Sequence, residues 1–259
     1  MIAPSEFQDY LQNICHRYEQ WWAVDALTET IAAKQATFSF EQMVQTEEKR
    51  REEKPQIVSL PILKGIQNYV ESEHILLVGS PGVGKSTALL RCLVSFAKKE
   101  LEKPEPRIPV LVPLKRYNVR FSTSEDPSGM LTLIRDALKP QLRLRIPEVE
   151  ELLCQKRLIL LLDGLNEMPA DTVRTELKAF REECQDLKIP LICTTRELGS
   201  GDFGIKRRLE VQPLSPLEIN RFLQECMPAQ AEQILQLLSR DNRELSRTPF
   251  VLWMLYQLF

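Results

Sequence analysis

The sequence predicts an α/β protein built on a doubly wound parallel sheet, with helices before it and a small helical domain after it. Three observations carry this. Apolar runs of strand length alternate with amphipathic helical stretches from His74 to Leu214, the spacing of repeated strand–helix units. One unit turns from strand to helix through a glycine-rich loop, Gly79-Ser80-Pro81-Gly82-Val83-Gly84-Lys85-Ser86-Thr87. After Leu214 the strand pattern stops and only helical periodicity remains.

Taken in order, Ser5 to Val44 reads as helical, because Phe7, Tyr10, Leu11, Ile14, Tyr18 and Trp21 recur at three- and four-residue steps. The adjacent Trp21 and Trp22 read as one ring in a helix contact and one half exposed, the alternative being an anchor onto a partner. The mixed-sign run from Glu47 to Lys54, closed by Pro55, reads as a solvated linker or an exposed helix end. Residues 1–54 are thus expected to be an N-terminal helical region with a charged linker. Gln56 to Val70 leads into a short helix with Leu63, Ile66, Tyr69 and Val70, near enough to the glycine loop to wall a base pocket.

The helix from Thr87 to Leu101 presents Leu89, Leu93, Phe96 and Ala97 inward. Four more apolar runs follow, at 108–114, 158–163, 191–196 and 209–214, with helical stretches at 129–142, 147–154 and 170–186 between them. The first run holds Pro109 and Pro113, which suits a sheet edge, and the second is apolar without a break, which suits a strand buried on both faces. Residues 55–213 are therefore expected to form one α/β domain that carries the glycine-rich loop. In the remainder, 214–259, Ser215-Pro216-Leu217-Glu218 is a capping box with proline at the first helical position. A second helix carries Ala231, Ile234, Leu235 and Leu238, and a third, from Thr248-Pro249, is apolar nearly all round. The chain stops inside that run, so the expectation is a shortened helical domain from a longer protein.

The glycine loop fits G-x-x-x-x-G-K-[ST] at every defined position. Its glycines let successive amide N–H groups turn inward beneath a helix N-terminus, a concave site for a di- or triphosphate. Lys85 brings a positive charge to the β- and γ-phosphates, and Ser86 offers a hydroxyl to the Mg²⁺ that bridges them. A second signature, Leu160-Leu161-Leu162-Asp163-Gly164-Leu165-Asn166-Glu167, ends a buried strand in a carboxylate and adds another four positions on. Asp163 suits the metal; Glu167 suits the attacking water, the alternative being an acid that favours a helix N-terminus, and Arg196, after Thr194-Thr195, suits the γ-phosphate, the alternative being a surface ion pair.

Composition narrows the function. With 34 basic and 36 acidic residues the net charge is −2, without the basic excess of a nucleic-acid grip or a helicase track. The six cysteines are dispersed, which reads as reduced core residues of a cytoplasmic protein, and no apolar run approaches the roughly 18 residues of a membrane span.

From about Gln56 to Phe259 these motifs together resemble the NACHT family of STAND-type signal-transduction NTPases, its bacterial members in particular. The resemblance implies a five-stranded core in the order 5-1-4-3-2, a helical domain closing over the nucleotide, and ATP more often than GTP. It also implies that Pro249 lies against the base. Asn166 departs from the family, where aspartate is frequent, and the winged-helix and C-terminal sensor regions are missing. The N-terminal helices fall where the family places an effector or adaptor, so a protein partner there and a nucleotide-dependent oligomer are expected. Two functional readings follow: a slow, Mg²⁺-dependent ATP/ADP switch, or a scaffold that holds nucleotide with little hydrolysis.

Overall fold

The strand Leu158–Asp163 buries every residue up to the terminal, half-buried Asp163, and is paired in parallel on both sides. A computed structural model describes residues 4–23, 40–48, 56–117, 129–168, 171–196, 203–240 and 247–258. In chain order these give α1 (Pro4–Ala23), β1 (Met43–Glu48), β2 (Gln56–Pro61), α2 (Ile62–Tyr69), β3 (Ile75–Val78), α3 (Lys85–Leu101) and β4 (Ile108–Pro113). They continue with α4 (Gly129–Leu138), α5 (Ile146–Cys154), β5 (Leu158–Asp163), α6 (Asp171–Asp186), β6 (Leu191–Thr195), β7 (Arg207–Val211), α7 (Pro216–Cys226), α8 (Ala231–Arg240) and α9 (Pro249–Leu258).

The sheet has seven strands in the order β2-β1-β7-β3-β6-β5-β4. From β7 to β4 all neighbours are parallel, whereas β1 lies antiparallel to both β7 and β2. The expected five-stranded parallel sheet is thus corrected to a mixed sheet of seven. Within it the parallel strands, numbered among themselves along the chain, stand fifth, first, fourth, third, second. The two added strands come from stretches read as helix, linker and helix approach. Only Val44 and Thr46 of β1 are buried and β2 has no buried residue, so neither shows the apolar signal of a core strand. β4, with its two prolines, does lie at the sheet end, where a missing N–H costs no ladder bond.

Layers of helix cover the sheet. The inward face of α3 is buried at Leu89, Leu93, Phe96 and Ala97. α1 packs on α3 and places Phe7, Tyr10, Leu11 and Ile14 in the main core, with the buried Tyr10 hydroxyl donating to the Pro109 carbonyl at 2.9 Å. The side chains of Trp21 and Trp22 lie outside the described residues, as do residues 49–55 of the charged run. The cysteines are free, but only Cys92, Cys184 and Cys193 are buried. Cys154 is exposed, and Cys15 and Cys226 are half-buried on helix flanks, which corrects the reading of all six as core.

The helical module has its own core of Leu214, Ile219, Phe222, Leu223, Met227, Ala231, Ile234 and Leu252, joined by Phe40 from ahead of β1. Its first helix starts as expected: Ser215 Oγ accepts the Glu218 N–H at 3.2 Å and Glu218 Oε2 accepts the Ser215 N–H at 2.7 Å. In α9, Leu252 is buried and Trp253 and Tyr256 meet Phe222 edge-on, while Phe250, Met254 and Leu258 form an exposed stripe. The helix read as apolar nearly all round therefore packs by one side and leaves this stripe uncovered.

Candidate functional site

The four residues of β3 are buried, and at its carboxyl end the chain turns through Gly79–Gly84 directly into α3. Gly84 makes that turn with φ +95°, a left-handed angle that a side chain resists, and so serves as the residue before the first helical turn. Pro81, Ser86 and Thr87 face solvent at the mouth of the loop, while Gly79 and Val83 are buried beneath it. The Lys85 ammonium folds back over the loop and donates to the carbonyls of Gly79 at 2.5 Å and Ser80 at 3.0 Å. Its pKa is lowered to about 8, first by burial and then by the Arg196 charge, with Asp163 and Glu167 opposing the fall. Asp163, Glu167 and Arg196, from two other strand ends, thus act on the charge that the loop presents.

Those strand ends are bound to each other. Thr194 Oγ1 on β6 donates to Asp163 Oδ1 at 2.6 Å and accepts the Gly164 N–H at 2.8 Å, so one hydroxyl orients the carboxylate and pins the turn behind it. Gly164, at φ +87°, reverses the chain into a short 3₁₀ turn, Leu165–Glu167, closed by the Glu167 N–H to the Gly164 carbonyl at 2.9 Å. That turn sends Asn166 and Glu167 towards β6. Asn166 Oδ1 accepts the Arg196 backbone N–H at 3.1 Å, and the Arg196 guanidinium pairs with Glu167 Oε1 at 3.2 Å on an open surface.

The helical module reaches the same loop. The Phe250 N–H points to the Gly82 carbonyl at 3.4 Å, and a Cβ placed on Gly82 would stand 2.9 Å from that of Phe250 and 3.4 Å from Thr248 Oγ1. Pro249 opens α9 between those two residues and is half-buried. Thr248, buried, caps the helix through its hydroxyl to the Val251 N–H at 3.4 Å.

For Mg²⁺ the donor set fits: a carboxylate at a strand end and an exposed hydroxyl in the first turn of α3 are hard oxygen ligands of the kind that leave room for water and phosphate. Two residues near the loop escaped the sequence reading. Thr194 was legible only as a flank of Arg196, and its role depends on β6 lying beside β5. Gln42, buried at 6% exposure, donates from Nε2 to the Val83 carbonyl. No local signal marks it, since 41 residues separate the partners.

The NACHT domain family model matches residues 73–230 of the chain. No curated protein is significantly similar to it in sequence. In structure it is similar to AMPPCP-bound DnaA from Aquifex aeolicus, with 14% identity over 72% of this chain and 56% of that one at a TM-score of 0.46. It is likewise similar to the Thermotoga maritima RuvB Holliday junction branch migration motor, with 18% identity over 76% of this chain and 59% of that one at a TM-score of 0.42. The chain thus spans between half and two thirds of each of those structures.

Proposed function

The chain belongs to the NACHT domain family, and from that premise we propose that it binds ATP in preference to GTP, with Mg²⁺, and hydrolyses it slowly as a signal-transduction switch of the STAND type. Membership of the family suggests nucleotide binding and hydrolysis in general. The finer reading is supported by one observation above the rest: the Lys85 ammonium lies over the loop on the carbonyls of Gly79 and Ser80, where the charges of Asp163, Glu167 and Arg196 all act on it. A polyanion entering there replaces the loop carbonyls as the partner of the Lys85 ammonium. Backbone N–H groups of the Gly79–Thr87 loop, at the N-terminus of α3, then hold its phosphate oxygens.

Ser86 and Asp163 are the residues that would hold the metal, which would supply neutralisation of the phosphate charge. Thr194 keeps Asp163 aimed. Glu167 is the base that orients and deprotonates water, Asn166 steadies the turn that carries it, and Arg196 contacts the γ-phosphate once it exchanges its partner. Pro249, held beside Gly82 by Thr248 and Phe250, lies against the base, and α2 contributes its wall. The docking of 214–258 on the loop is then the feature that differs between ADP and ATP states. A cytosolic setting, a protein partner on the outward face of α1 and an oligomer formed with nucleotide belong to the same reading.

The Glu167–Arg196 pair favours a second reading, a nucleotide-holding scaffold, because it occupies the carboxylate that hydrolysis needs. Phosphate release separates the two. The switch reading expects slow release from the wild type that falls by about 10²-fold in Glu167→Gln, the loss of a general base, with ATP still bound. It expects Lys85→Ala to lose nucleotide binding. Unchanged ATP affinity in Lys85→Ala would falsify the assigned loop, and absence of release from the wild type would leave the scaffold.

A further inference from the structure

Gln42 belongs to none of the motifs above, yet its amide is buried, a position that disfavours it unless its polar atoms are engaged. Its Nε2 donates to the Val83 carbonyl, and its Oε1 and Cδ lie 2.8 and 2.9 Å from where a Gly84 Cβ would stand. The space that Gly84 leaves open is the seat of this amide. The peptide between Val83 and Gly84 is planar and trans, so drawing its C=O towards Gln42 turns the Gly84 N–H to the opposite side.

The residues around Gln42 are tied to four other parts of the molecule. Two positions earlier, the Phe40 ring stands 5.3 Å from that of Phe222 in the core of the helical module, and the Phe40 carbonyl accepts from Arg91 of α3 at 3.2 Å. The Gln42 carbonyl accepts the Ile62 N–H at 2.8 Å, and the next carbonyl, of Met43, accepts the Gln212 N–H at 2.9 Å in the connection from β7 to α7. Two residues reach about 7 Å at most. A larger displacement of the module must therefore either pull Gln42 off the loop or withdraw Phe40 from its core.

We propose that Gln42 is a positioning residue for nucleotide binding, holding the Val83–Gly84 peptide of the phosphate loop with its N–H turned inward, and that Phe40 makes this hold depend on how the helical module is docked. The proposal rests on the nucleotide-binding reading given above. It assigns the segment that leads into β1 to the site without placing it against the ligand.

The test compares wild type, Gln42→Met, which keeps volume without the donor, and Gln42→Glu, which sets an acceptor against a carbonyl. Affinity for fluorescent ADP and ATP analogues with Mg²⁺, amide exchange at residues 83–86 and thermal unfolding are measured together. Both variants are expected to bind about tenfold more weakly, the worth of one buried hydrogen bond, and to exchange faster at 83–86 while β5 stays protected. Phe40→Ala is expected to weaken binding in the wild type and to add less than twofold in Gln42→Met. Affinities within twofold of wild type for both Gln42 variants overturn the proposal, as does a loss of stability with exchange at 83–86 unchanged. Additive effects of Phe40→Ala overturn the coupling. Should Gln42→Met not fold, Gln42→Asn, one methylene short of the carbonyl, carries the same comparison. A wild type that binds neither analogue overturns the nucleotide reading instead, and exchange at 83–86 still decides whether Gln42 holds the loop.

Discussion

β5 and β1 are six-residue strands of one sheet, and they are held in it for opposite reasons. β5 is Leu-Ile-Leu-Leu-Leu-Asp, buried on both faces between β6 and β4, and each of its apolar side chains leaves water on folding. β1 is Met-Val-Gln-Thr-Glu-Glu and buries two residues; it is held by antiparallel pairing with β2 and β7 and by side chains that grip its far end. There the Tyr69 hydroxyl donates to the Glu48 carboxylate, and Arg207, lying 4.1 Å over the Tyr69 ring, donates to the Glu47 carbonyl at 2.8 Å. A fully buried strand of the parallel part of the sheet carries its own reason to be a strand, whereas one added to it by antiparallel pairing borrows that reason from its partners.

The sharpest way to break this contrast is to empty the buried strand β5. Leu161→Ala, at a position with no exposure, is expected to cost about 2–5 kcal/mol in denaturant unfolding, and a cost below about 1 kcal/mol means that β5 does not organise the core. Val44→Ala, the one fully buried apolar residue of β1, is expected to cost about 2 kcal/mol. Because Val44 follows Gln42 closely in the chain, that variant should also raise amide exchange at 83–86, which Leu161→Ala should not do before global unfolding.

A third prediction concerns the loop that both strands serve, since β5 ends in Asp163 and β1 begins beside Gln42. With its pKa lowered to about 8, Lys85 loses its proton in the nucleotide-free protein as pH rises through that value. Bound phosphates favour the charged form and raise the pKa, so binding takes up a proton above pH 8. Nucleotide affinity is therefore expected to be level below about pH 7.5 and to fall by up to tenfold per pH unit above 8, as read by titration in buffers of different ionisation enthalpy. Affinity that is flat to pH 9.5 removes Lys85 from the contact. The smallest effect is expected at Ile57 on β2, 71% exposed, where Ile57→Thr should change stability by less than about 0.5 kcal/mol. A larger loss there would show that β2 contributes burial as well as pairing.

The site divides along the same line. Gly79–Thr87 and Asp163–Glu167 were legible because the chemistry of each is written in consecutive residues: a loop that must turn left-handed, and a buried run that ends in carboxylates. Arg196 was legible from its place at the end of a strand. Thr194 and Gln42 were not, since a threonine in a strand and a glutamine near a charged run are ordinary residues until β6 lies beside β5 and β1 beside β7. The exposed stripe of α9 was hidden for a related reason, because apolar content announces burial without saying which side is covered.

Local pattern, then, was enough to determine the parallel core, the edge position of the proline-bearing β4, the capping of α7 by Ser215, and the loop and acidic strand end that define the candidate site. Periodicity, proline and glycine act within a few residues, so these features are decided where they are written. Tertiary structure alone decided that the sheet is mixed and seven-stranded, that α1 lies on α3, and that Phe40 and Gln42 bridge the helical module and the phosphate loop. Each of these depends on pairing or packing between residues far apart in sequence, where the free energy resides in the contact and neither partner's own sequence records it.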